Sequence, residues 1–242
     1  MRRSRIYTPQ PLLSADTIEL TGAASHYLTR VLRLSRGDPL IVFNGDGRDY
    51  SAQISEVQSK CVLVRLLESE VSGKESPLKI TLVQAICKGD RMDYALQKAT
   101  ELGVFCIQPL ISDRVEVRLD VARQAKRMKH WQGVVISACE QSGRAMVPEV
   151  KPPLSMFEWT AEADDSRCVV LDPLAEDKLS GLLVGGDAIS IVVGPEGGFT
   201  QEEVDAVRLN GLMAVSLGPR VLRTETAGPA AIAVLQAKTG GF

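Results

Sequence analysis

Short apolar runs between residues 80 and 217 constrain the fold of this chain more than any other feature. Strands are predicted over Ile80–Ala85 and Phe105–Leu110, and short apolar runs occupy Cys168–Leu171, Ile189–Val193 and Ala214–Leu217. The last three lack the alternation of a half-exposed strand, so they indicate strands buried on both faces, as in a parallel sheet. A helix closed by Gly103 is predicted over Arg91–Leu102, between the first two strands. Strands that alternate with helices predict an α/β layer fold.

Three further helices are predicted in the same part of the chain. A long one spans about Asp120–Cys139, and Thr200-Gln201-Glu202-Glu203 has the capping-box spacing that opens a helix running to about Asn210. In the last helix, Ala230–Leu235 is apolar on every side, and Pro229 is expected in the first turn, where proline is tolerated. A helix without a polar face has to be buried all round, either inside its own domain or at an oligomer interface.

The first seventy residues carry short strand patterns instead. These are Leu40–Phe43, Tyr50–Val57 and Cys61–Leu67. Asn44–Gly47 is a strong turn signal, and one short amphipathic helix is predicted over Ser25–Leu34. The polar stretch Ser69–Pro77 is the best linker candidate. The sequence therefore predicts a small barrel-like β domain over residues 1–71 and an α/β domain over residues 77–242.

Charge is distributed unevenly along the chain. The 28 basic and 30 acidic side chains give a net charge of −2, which taken alone argues against a nucleic-acid partner. Residues 1–75 carry 10 basic and 9 acidic side chains, residues 76–150 carry 11 and 8, and residues 151–242 carry 7 and 13. The first 150 residues are thus net basic, and this asymmetry hints at separate faces for separate partners.

Composition also excludes several classes of protein. No apolar run approaches the roughly 18 residues that span a bilayer, and the start of the chain lacks the apolar segment of a secretory signal. The five cysteines form no C-x-x-C pair, and His26 and His130 are the only histidines, so no metal site is predicted. We therefore expect reduced cysteines in a cytoplasmic protein with no membrane or metal partner.

The glycine-rich segment Gly194–Phe199 lies between a predicted strand and a capped helix, where ligands bind in open α/β sheets. It matches neither G-x-G-x-x-G nor G-x-x-x-x-G-K-[ST], and Glu196 would repel a phosphate. Both observations disfavour a dinucleotide or nucleoside-triphosphate site. An ordinary tight turn is the alternative.

A second irregular segment, Leu217–Gly228, also joins a predicted strand to a helix. Within it Arg223 and Glu225 bring opposite charges beside buried structure. The alternative here is an ordinary Arg–Glu pair that caps the last helix. Two such loops at neighbouring strand ends favour a shared pocket.

These two loops resemble the signature of the SPOUT, or α/β-knot, RNA methyltransferases. The resemblance lies in Gly194-Pro195-Glu196-Gly197-Gly198-Phe199 and in Leu217-Gly218-Pro219-Arg220-Val221-Leu222-Arg223-Thr224-Glu225-Thr226-Ala227. Upstream, Lys88–Asp93, Gln97–Gly103 and Ala138–Arg144 are similar to the family that methylates N3 of a uracil in 16S ribosomal RNA. His26–Arg33 resembles the N-terminal, PUA-like RNA-binding module of that family.

The resemblance implies a fold and a cofactor. It implies a small PUA-like β-barrel domain followed by a SPOUT domain with a mostly parallel sheet. In this superfamily the C-terminal segment passes through a loop to form a deep trefoil knot, S-adenosyl-L-methionine (SAM) binds bent in the knotted loops, and the knotted domains form homodimers. The implied cofactor contacts are Leu171, Gly194, Pro195, Glu196, Gly197, Gly198, Leu217, Gly218, Arg220, Leu222 and Thr224.

The implied reaction is SAM-dependent methylation of N3 of a specific uridine in 16S ribosomal RNA of the small ribosomal subunit. Because N3 carries a proton that has to leave, Glu225 is expected to accept it or to orient a water. Arg223 is expected to stabilise negative charge on the uracil carbonyl oxygens. The reverse assignment, or deprotonation by solvent, fits the sequence equally well.

The candidate RNA contacts are basic side chains. Arg30 and Arg33 are expected to be neighbours on the short N-terminal helix. Arg144 is expected to enter the active site from a partner subunit, with a local helix-end salt bridge as the alternative. A candidate basic arm consists of Arg2, Arg3 and Arg5. The cations over residues 123–129 of the long helix are more typical of a solvated face.

Two other functions stay open from the sequence. One is a SPOUT methyltransferase with another RNA target, such as a ribose 2′-hydroxyl or a transfer RNA base. The other is a non-catalytic RNA-binding or ribosome-assembly protein that retains the fold. Binding of SAM would separate the second from an enzyme.

Overall fold

The computed structural model describes residues 3–114, 121–162, 167–209 and 211–241. Three positions named above, Arg2, Asp120 and Asn210, lie outside these residues. The chain divides into two units. The first combines Met1–Glu75 with Cys139–Val147, and the second combines Ser76–Ala138 with Pro148–Phe242.

The first unit is built on one curled sheet. Its strands are β1 (Ser4–Tyr7), β2 (Thr17–Thr21), β3 (Pro39–Phe43), β4 (Arg48–Val57) and β5 (Cys61–Val71). They follow the order β1-β3-β4-β5-β2, in which only the β1–β3 pairing is parallel. Two register shifts between β4 and β5 mark bulges, which bend a sheet. Apolar side chains from all five strands fill the inner face, and this confirms the predicted barrel-like β domain.

The short helix of this unit differs from the predicted one. A helix, α1, spans Gly22–His26 and continues as a π-helical turn over Tyr27–Val31. Leu28 is fully buried, but Val31 is 58% exposed, since the wider turn moves it off the inner face. Arg33 has a φ of 56°, in the left-handed region, and lies beyond the helix. The expectation that Arg30 and Arg33 share a helix face was therefore wrong.

The second unit contains a seven-stranded sheet. Its strands are β6 (Lys79–Ala85), β7 (Cys106–Ile111), β8 (Glu149–Val150), β9 (Leu154–Ser155), β10 (Cys168–Leu171), β11 (Ala188–Val193) and β12 (Met213–Val215). The order is β12-β10-β11-β6-β7-β8, and β9 also pairs with β7. All pairings between these strands are parallel, as the uninterrupted apolar runs predicted.

In the chain, helices lie between the strands of this sheet and after its last strand. They are α2 (Asp90–Glu101), α3 (Val121–Ser142), α4 (Met156–Glu162), α5 (Gln201–Leu209) and α6 (Thr224–Thr239). The α/β fold with a parallel sheet is thus confirmed, and the trefoil knot stays a prediction. Among the described residues, no helix is long and apolar enough to cross a membrane.

The terminal helix α6 begins earlier than predicted. Because it starts at Thr224, Pro229 lies in its interior and not in its first turn. An interior proline cannot donate to the carbonyl four residues before it, which leaves the backbone carbonyl of Glu225 without that bond. Near the other end, the buried Gln236 donates to the carbonyl of Leu102 at 3.1 Å and accepts from the Ser76 hydroxyl. These bonds clamp the helix within its own unit.

Candidate functional site

A cavity of about 780 Å³ opens in the second unit, beyond the carboxyl ends of three neighbouring strands. The last residues of these strands, Leu171, Val193 and Val215, line it. In open parallel sheets this edge is where ligands bind, because the loops there diverge to either face. The volume lies within the range of small-molecule and cofactor sites. Both loops singled out in the sequence contribute to its wall.

The first loop, Gly194–Phe199, is shaped by a turn and a close packing contact. The amide of Gly198 donates to the carbonyl of Pro195 at 2.9 Å, and Gly198 has a φ of 70°, which favours glycine. A Cβ on Gly194 would lie only 3.0–3.3 Å from three atoms of the Phe199 ring. The loop therefore needs glycine at Gly198 for its backbone conformation and at Gly194 for space.

The helix behind this loop begins as the sequence predicted. In the capping box, the amide of Thr200 donates to Glu203 Oε2 at 2.8 Å, and the amide of Glu203 donates to the Thr200 hydroxyl at 3.3 Å. Glu203 is buried and also accepts from the hydroxyl of Ser112 and the amide of Asp113. One carboxylate thus fixes both the start of α5 and the residues after β7. Sequence spacing found the first of these two roles only.

The second loop runs from β12 to α6. The amide of Ser216 donates to the carbonyl of Asp177 at 2.8 Å and anchors the loop at its start. Gly218 has a φ of 105°, and a Cβ there would meet nothing within 4 Å. Leu217 and Leu222 supply apolar wall, while Thr224 is the first residue of α6.

The structure brings nine of the eleven predicted cofactor contacts to one cavity. These are Leu171, Gly194, Pro195, Glu196, Gly198, Leu217, Arg220, Leu222 and Thr224. Gly197 and Gly218 do not line it. The carbonyl of Gly197 accepts instead from Arg114 Nη1 at 2.7 Å. The sequence reasoning missed Arg91, Asp172 and Phe199, which also line the cavity; Arg91 and Phe199 belong to the resembling segments but were given no role.

The two predicted catalytic residues lie side by side at the start of α6. Arg223 caps the helix through its backbone, since its carbonyl accepts from the amides of Thr226 and Ala227 at 2.9 Å, and its side chain is exposed. Glu225 has a side chain only 13% exposed, and its Oε1 lies 3.9 Å from Arg91 Nε. Both residues line the cavity. The alternative of a mutual Arg–Glu pair finds no support among the described residues, where the ion pair of Glu225 is with Arg91.

The predicted RNA contacts lie in the first unit. Arg30 and Arg33 are exposed. Arg144 is buried, and its Nη2 lies 2.5 Å from Glu75 Oε2, which is a long-range ion pair and not the local helix-end salt bridge of the alternative. Arg5 is also buried, and it forms an ion pair with Asp49 at 2.7 Å. It is therefore not part of the free basic arm that the sequence suggested.

The cavity residues fit SAM. Val193, Leu217 and Leu222 offer apolar wall for a purine, and Gly198 leaves open space where a side chain would stand. Acidic and basic side chains both reach the cavity, as a cofactor that carries charges of both signs requires. Glu225 Oε2 is buried and has no hydrogen-bond partner among the described residues, as expected of a polar atom kept for a ligand or substrate. No cluster of metal-ligating side chains is found in the described part of the chain.

Comparison with known proteins gives a consistent result. The family model for the RNA methyltransferase domain matches residues 74–236, and that for the RNA methyltransferase PUA domain matches residues 20–67. Ribosomal RNA small subunit methyltransferase E of Buchnera aphidicola subsp. Schizaphis graminum is 34% identical over 99% of this chain and 98% of its own. The structure of the enzyme of that name from Neisseria gonorrhoeae, bound to SAM, has a TM-score of 0.93 at 40% identity and covers 98% of each chain. A Legionella pneumophila protein solved with bound SAM has a TM-score of 0.94 at 41% identity, again over 98% of each chain.

Proposed function

Because this chain belongs to the RNA methyltransferase family just described, we propose that it transfers the methyl group of SAM to N3 of a specific uridine in 16S ribosomal RNA. The enzyme class follows from the family: it is a SAM-dependent ribosomal RNA methyltransferase. The observation that carries the proposal is the cavity beyond β10, β11 and β12, which combines the cofactor loops with Arg223 and Glu225. Relatives that are named ribosomal RNA small subunit methyltransferase E support the choice of small-subunit ribosomal RNA as the substrate.

When bound, SAM supplies an activated methyl group, and the residues of this chain supply position and charge. The loop Gly194–Phe199 and the residues Leu217 and Leu222 hold the cofactor, so that catalysis rests largely on alignment with the base. Glu225 accepts the N3 proton or orients the water that does so, which suits its half-buried carboxylate. The exposed guanidinium of Arg223 stabilises the negative charge that develops on the uracil oxygens.

RNA recognition is assigned to the first unit. We propose that Arg30 and Arg33 contact phosphates, since both are exposed, and that Tyr27, which is 41% exposed, offers a ring for stacking. Arg144 was predicted as a third contact, but its burial against Glu75 makes a supporting role for this surface the better proposal. The two-domain division into an RNA-binding domain over residues 1–71 and a methyltransferase domain over residues 77–242 belongs to this proposal.

We also propose that the enzyme works in the cytoplasm as a homodimer formed through its second unit. Ala230, Ala233 and Val234 on α6 are only half-buried within one chain, which leaves apolar surface for a partner. Leu174 and Val221 are further exposed apolar side chains of the second unit. Sedimentation equilibrium should give twice the chain mass of 26.2 kDa. A monomer at micromolar concentration would contradict this.

The test of the target is mass mapping of 16S ribosomal RNA from a strain that lacks the gene. We expect one uridine to lose its N3 methyl group and the purified enzyme to restore it on isolated small subunits. Persistence of the modification would contradict the assignment of the base.

The test of the residue roles is the Arg223→Ala variant. It should lose turnover while its affinity for S-adenosylhomocysteine, measured by calorimetry, stays near that of the wild type. Equal losses of both would make Arg223 a cofactor contact. Absence of any calorimetric signal from the wild type would point to the non-catalytic RNA-binding protein.

A further inference from the structure

Arg91 is one of the cavity residues for which the sequence predicted no role. It is the second residue of α2, two positions after Gly89, which precedes the helix and has a φ of 62°. Its guanidinium lies between two carboxylates that come from the two cofactor loops. Nη1 forms an ion pair with Glu196 Oε1, and Nε lies 3.9 Å from Glu225 Oε1. One cation thus links the segment after β11 to the first turn of α6.

The two carboxylates that Arg91 contacts differ in their surroundings. The side chain of Glu196 is 52% exposed, so water already solvates its charge and the pair adds little. The side chain of Glu225 is 13% exposed, and its Oε2 is buried without a hydrogen-bond partner among the described residues. A carboxylate removed from water needs a nearby cation or donor to stay charged. The contact with Arg91 therefore matters more to Glu225 than to Glu196.

The charges of Arg91 and Glu225 also act on the thiol of Cys87. Cys87 is buried between β6 and α2, and its burial, followed by the charge of Glu225, raises its pKa to about 11. Arg91 acts on it in the opposite direction. At neutral pH the thiol is therefore protonated and leaves Glu225 without a competing negative charge on that side.

We propose that Arg91 is a positioning residue for the Glu225 carboxylate, a role that rests on the proposed function of Glu225 as proton acceptor. With its Nε 3.9 Å from Oε1, the guanidinium supplies the positive charge that faces this poorly exposed carboxylate and orients it toward the N3 proton. Arg91 acts through Glu225 and not on the base or the cofactor.

A double-mutant cycle tests this on the full-length enzyme, with small ribosomal subunits that lack the modification as substrate. Glu225→Gln should lower kcat about 100-fold and Arg91→Gln about tenfold. If Arg91 acts through Glu225, adding Arg91→Gln to Glu225→Gln should cause no further loss. Arg91→Lys, which keeps the charge, should recover kcat to within about threefold of the wild type. KM for the subunit should change little in all of these variants.

Lys98→Gln is the matched control, because it removes a cation from the same helix whose ion pair, with Glu101 at 2.9 Å, lies outside the cavity. It should leave kcat unchanged. Calorimetry with S-adenosylhomocysteine should give an affinity for Arg91→Gln within about twofold of the wild type. Circular dichroism verifies that each variant is folded.

Several outcomes would overturn the proposal, and they are distinguishable. Multiplicative losses in the double variant would mean that Arg91 acts independently of Glu225. A tenfold weaker affinity for S-adenosylhomocysteine would make Arg91 a cofactor contact instead. An undiminished kcat in Glu225→Gln would remove the role of Glu225 and with it that of Arg91. Absence of methyl transfer by the wild type would refute the proposed function itself.

Discussion

Gly194→Ala perturbs the cofactor loop by a single methyl group whose surroundings are known. The new Cβ would lie 3.0, 3.2 and 3.3 Å from Cε2, Cζ and Cδ2 of the Phe199 ring. Carbon atoms in contact stay about 3.5–4.0 Å apart, so the ring has to retreat by several tenths of an ångström. Phe199 packs on the core cluster that contains Val83, Val170 and Val192, which blocks retreat in that direction. The ring is therefore expected to move toward the cavity that it lines.

The cost follows from this geometry. Forcing a methyl group into a packed site typically costs about 1–3 kcal/mol. Because the displaced ring occupies space that the cofactor needs, we expect most of this free-energy cost to appear as weaker cofactor binding. About 1–2 kcal/mol corresponds to roughly 5- to 30-fold weaker affinity. The backbone itself is not strained, since no positive φ is found at Gly194.

Two other glycines in the loop provide comparisons. At Gly197 a Cβ would meet Arg114 at 3.6 Å and 3.8 Å, which is ordinary contact, so Gly197→Ala should weaken binding less. At Gly198 there is open space but a φ of 70°, so Gly198→Ala should cost about 1–2 kcal/mol through the backbone. Gly133→Ala on α3 meets nothing within 4 Å and serves as the control outside the site.

The assay is calorimetric titration of each variant with S-adenosylhomocysteine, alongside thermal unfolding without ligand. Gly194→Ala should lose more affinity than Gly197→Ala, and Gly133→Ala should bind as tightly as the wild type. If Gly194→Ala binds as tightly as the wild type, the ring has found another way to move and the packing argument is refuted. If Gly197→Ala loses as much as Gly194→Ala, the glycines act through backbone freedom and not through space.

Three further predictions concern stability. Arg144→Met leaves the Glu75 carboxylate without its cation and should lower the free energy of unfolding by about 3 kcal/mol in urea titrations, whereas an unchanged midpoint would mean that the pair contributes nothing. Glu203→Ala removes a capping bond and two contacts to the segment after β7, and should cost about 2 kcal/mol, measurable as a lower Tm. Burial raises the pKa of Glu140, so its charged form is disfavoured in the folded state. Glu140→Gln keeps an acceptor for the Tyr7 amide and should therefore stabilise the protein at about pH 7. The gain in stability should disappear at about pH 3.5, where the carboxyl is protonated in both the folded and the unfolded state. An equal gain at both pH values would exclude this linkage.

The parallel sheet was predictable from the sequence because a strand that is buried on both faces requires a short run of mostly apolar residues. Ile80–Ala85 and Ile189–Val193 are apolar runs at their observed positions, each within one residue of β6 and β11. The capping box was equally local, since it depends on residues three apart. Such features need no knowledge of the rest of the fold.

The failures arose where long-range contacts decide local structure. Pro229 is a poor helix residue, and its place in a helix interior depends on the packing of α6 against α2, β11 and β6. The π-helical turn of Tyr27–Val31 has no sequence signature, so the pattern predicted a regular helix there. Arg91 and Arg144 were both in resembling segments, but their partners lie about seventy or more residues away in sequence. Spacing along the chain cannot reveal such pairs.

The first unit is built from two separate parts of the chain, which affects both how the protein can be cut into fragments and the order in which it folds during synthesis. Its closing segment, residues 139–147, supplies the Arg144 side chain and the Gly143 carbonyl that accepts from Lys74. A fragment that ends at residue 75 would leave the Glu75 carboxylate without Arg144 and would leave Arg5 without the Arg144 carbonyl to which it donates. The first unit is therefore not portable as a contiguous fragment, and a graft onto another enzyme would have to carry both pieces. On the ribosome, its strands emerge more than sixty residues before the segment that completes them, so this unit finishes folding only after much of the methyltransferase unit has begun to appear.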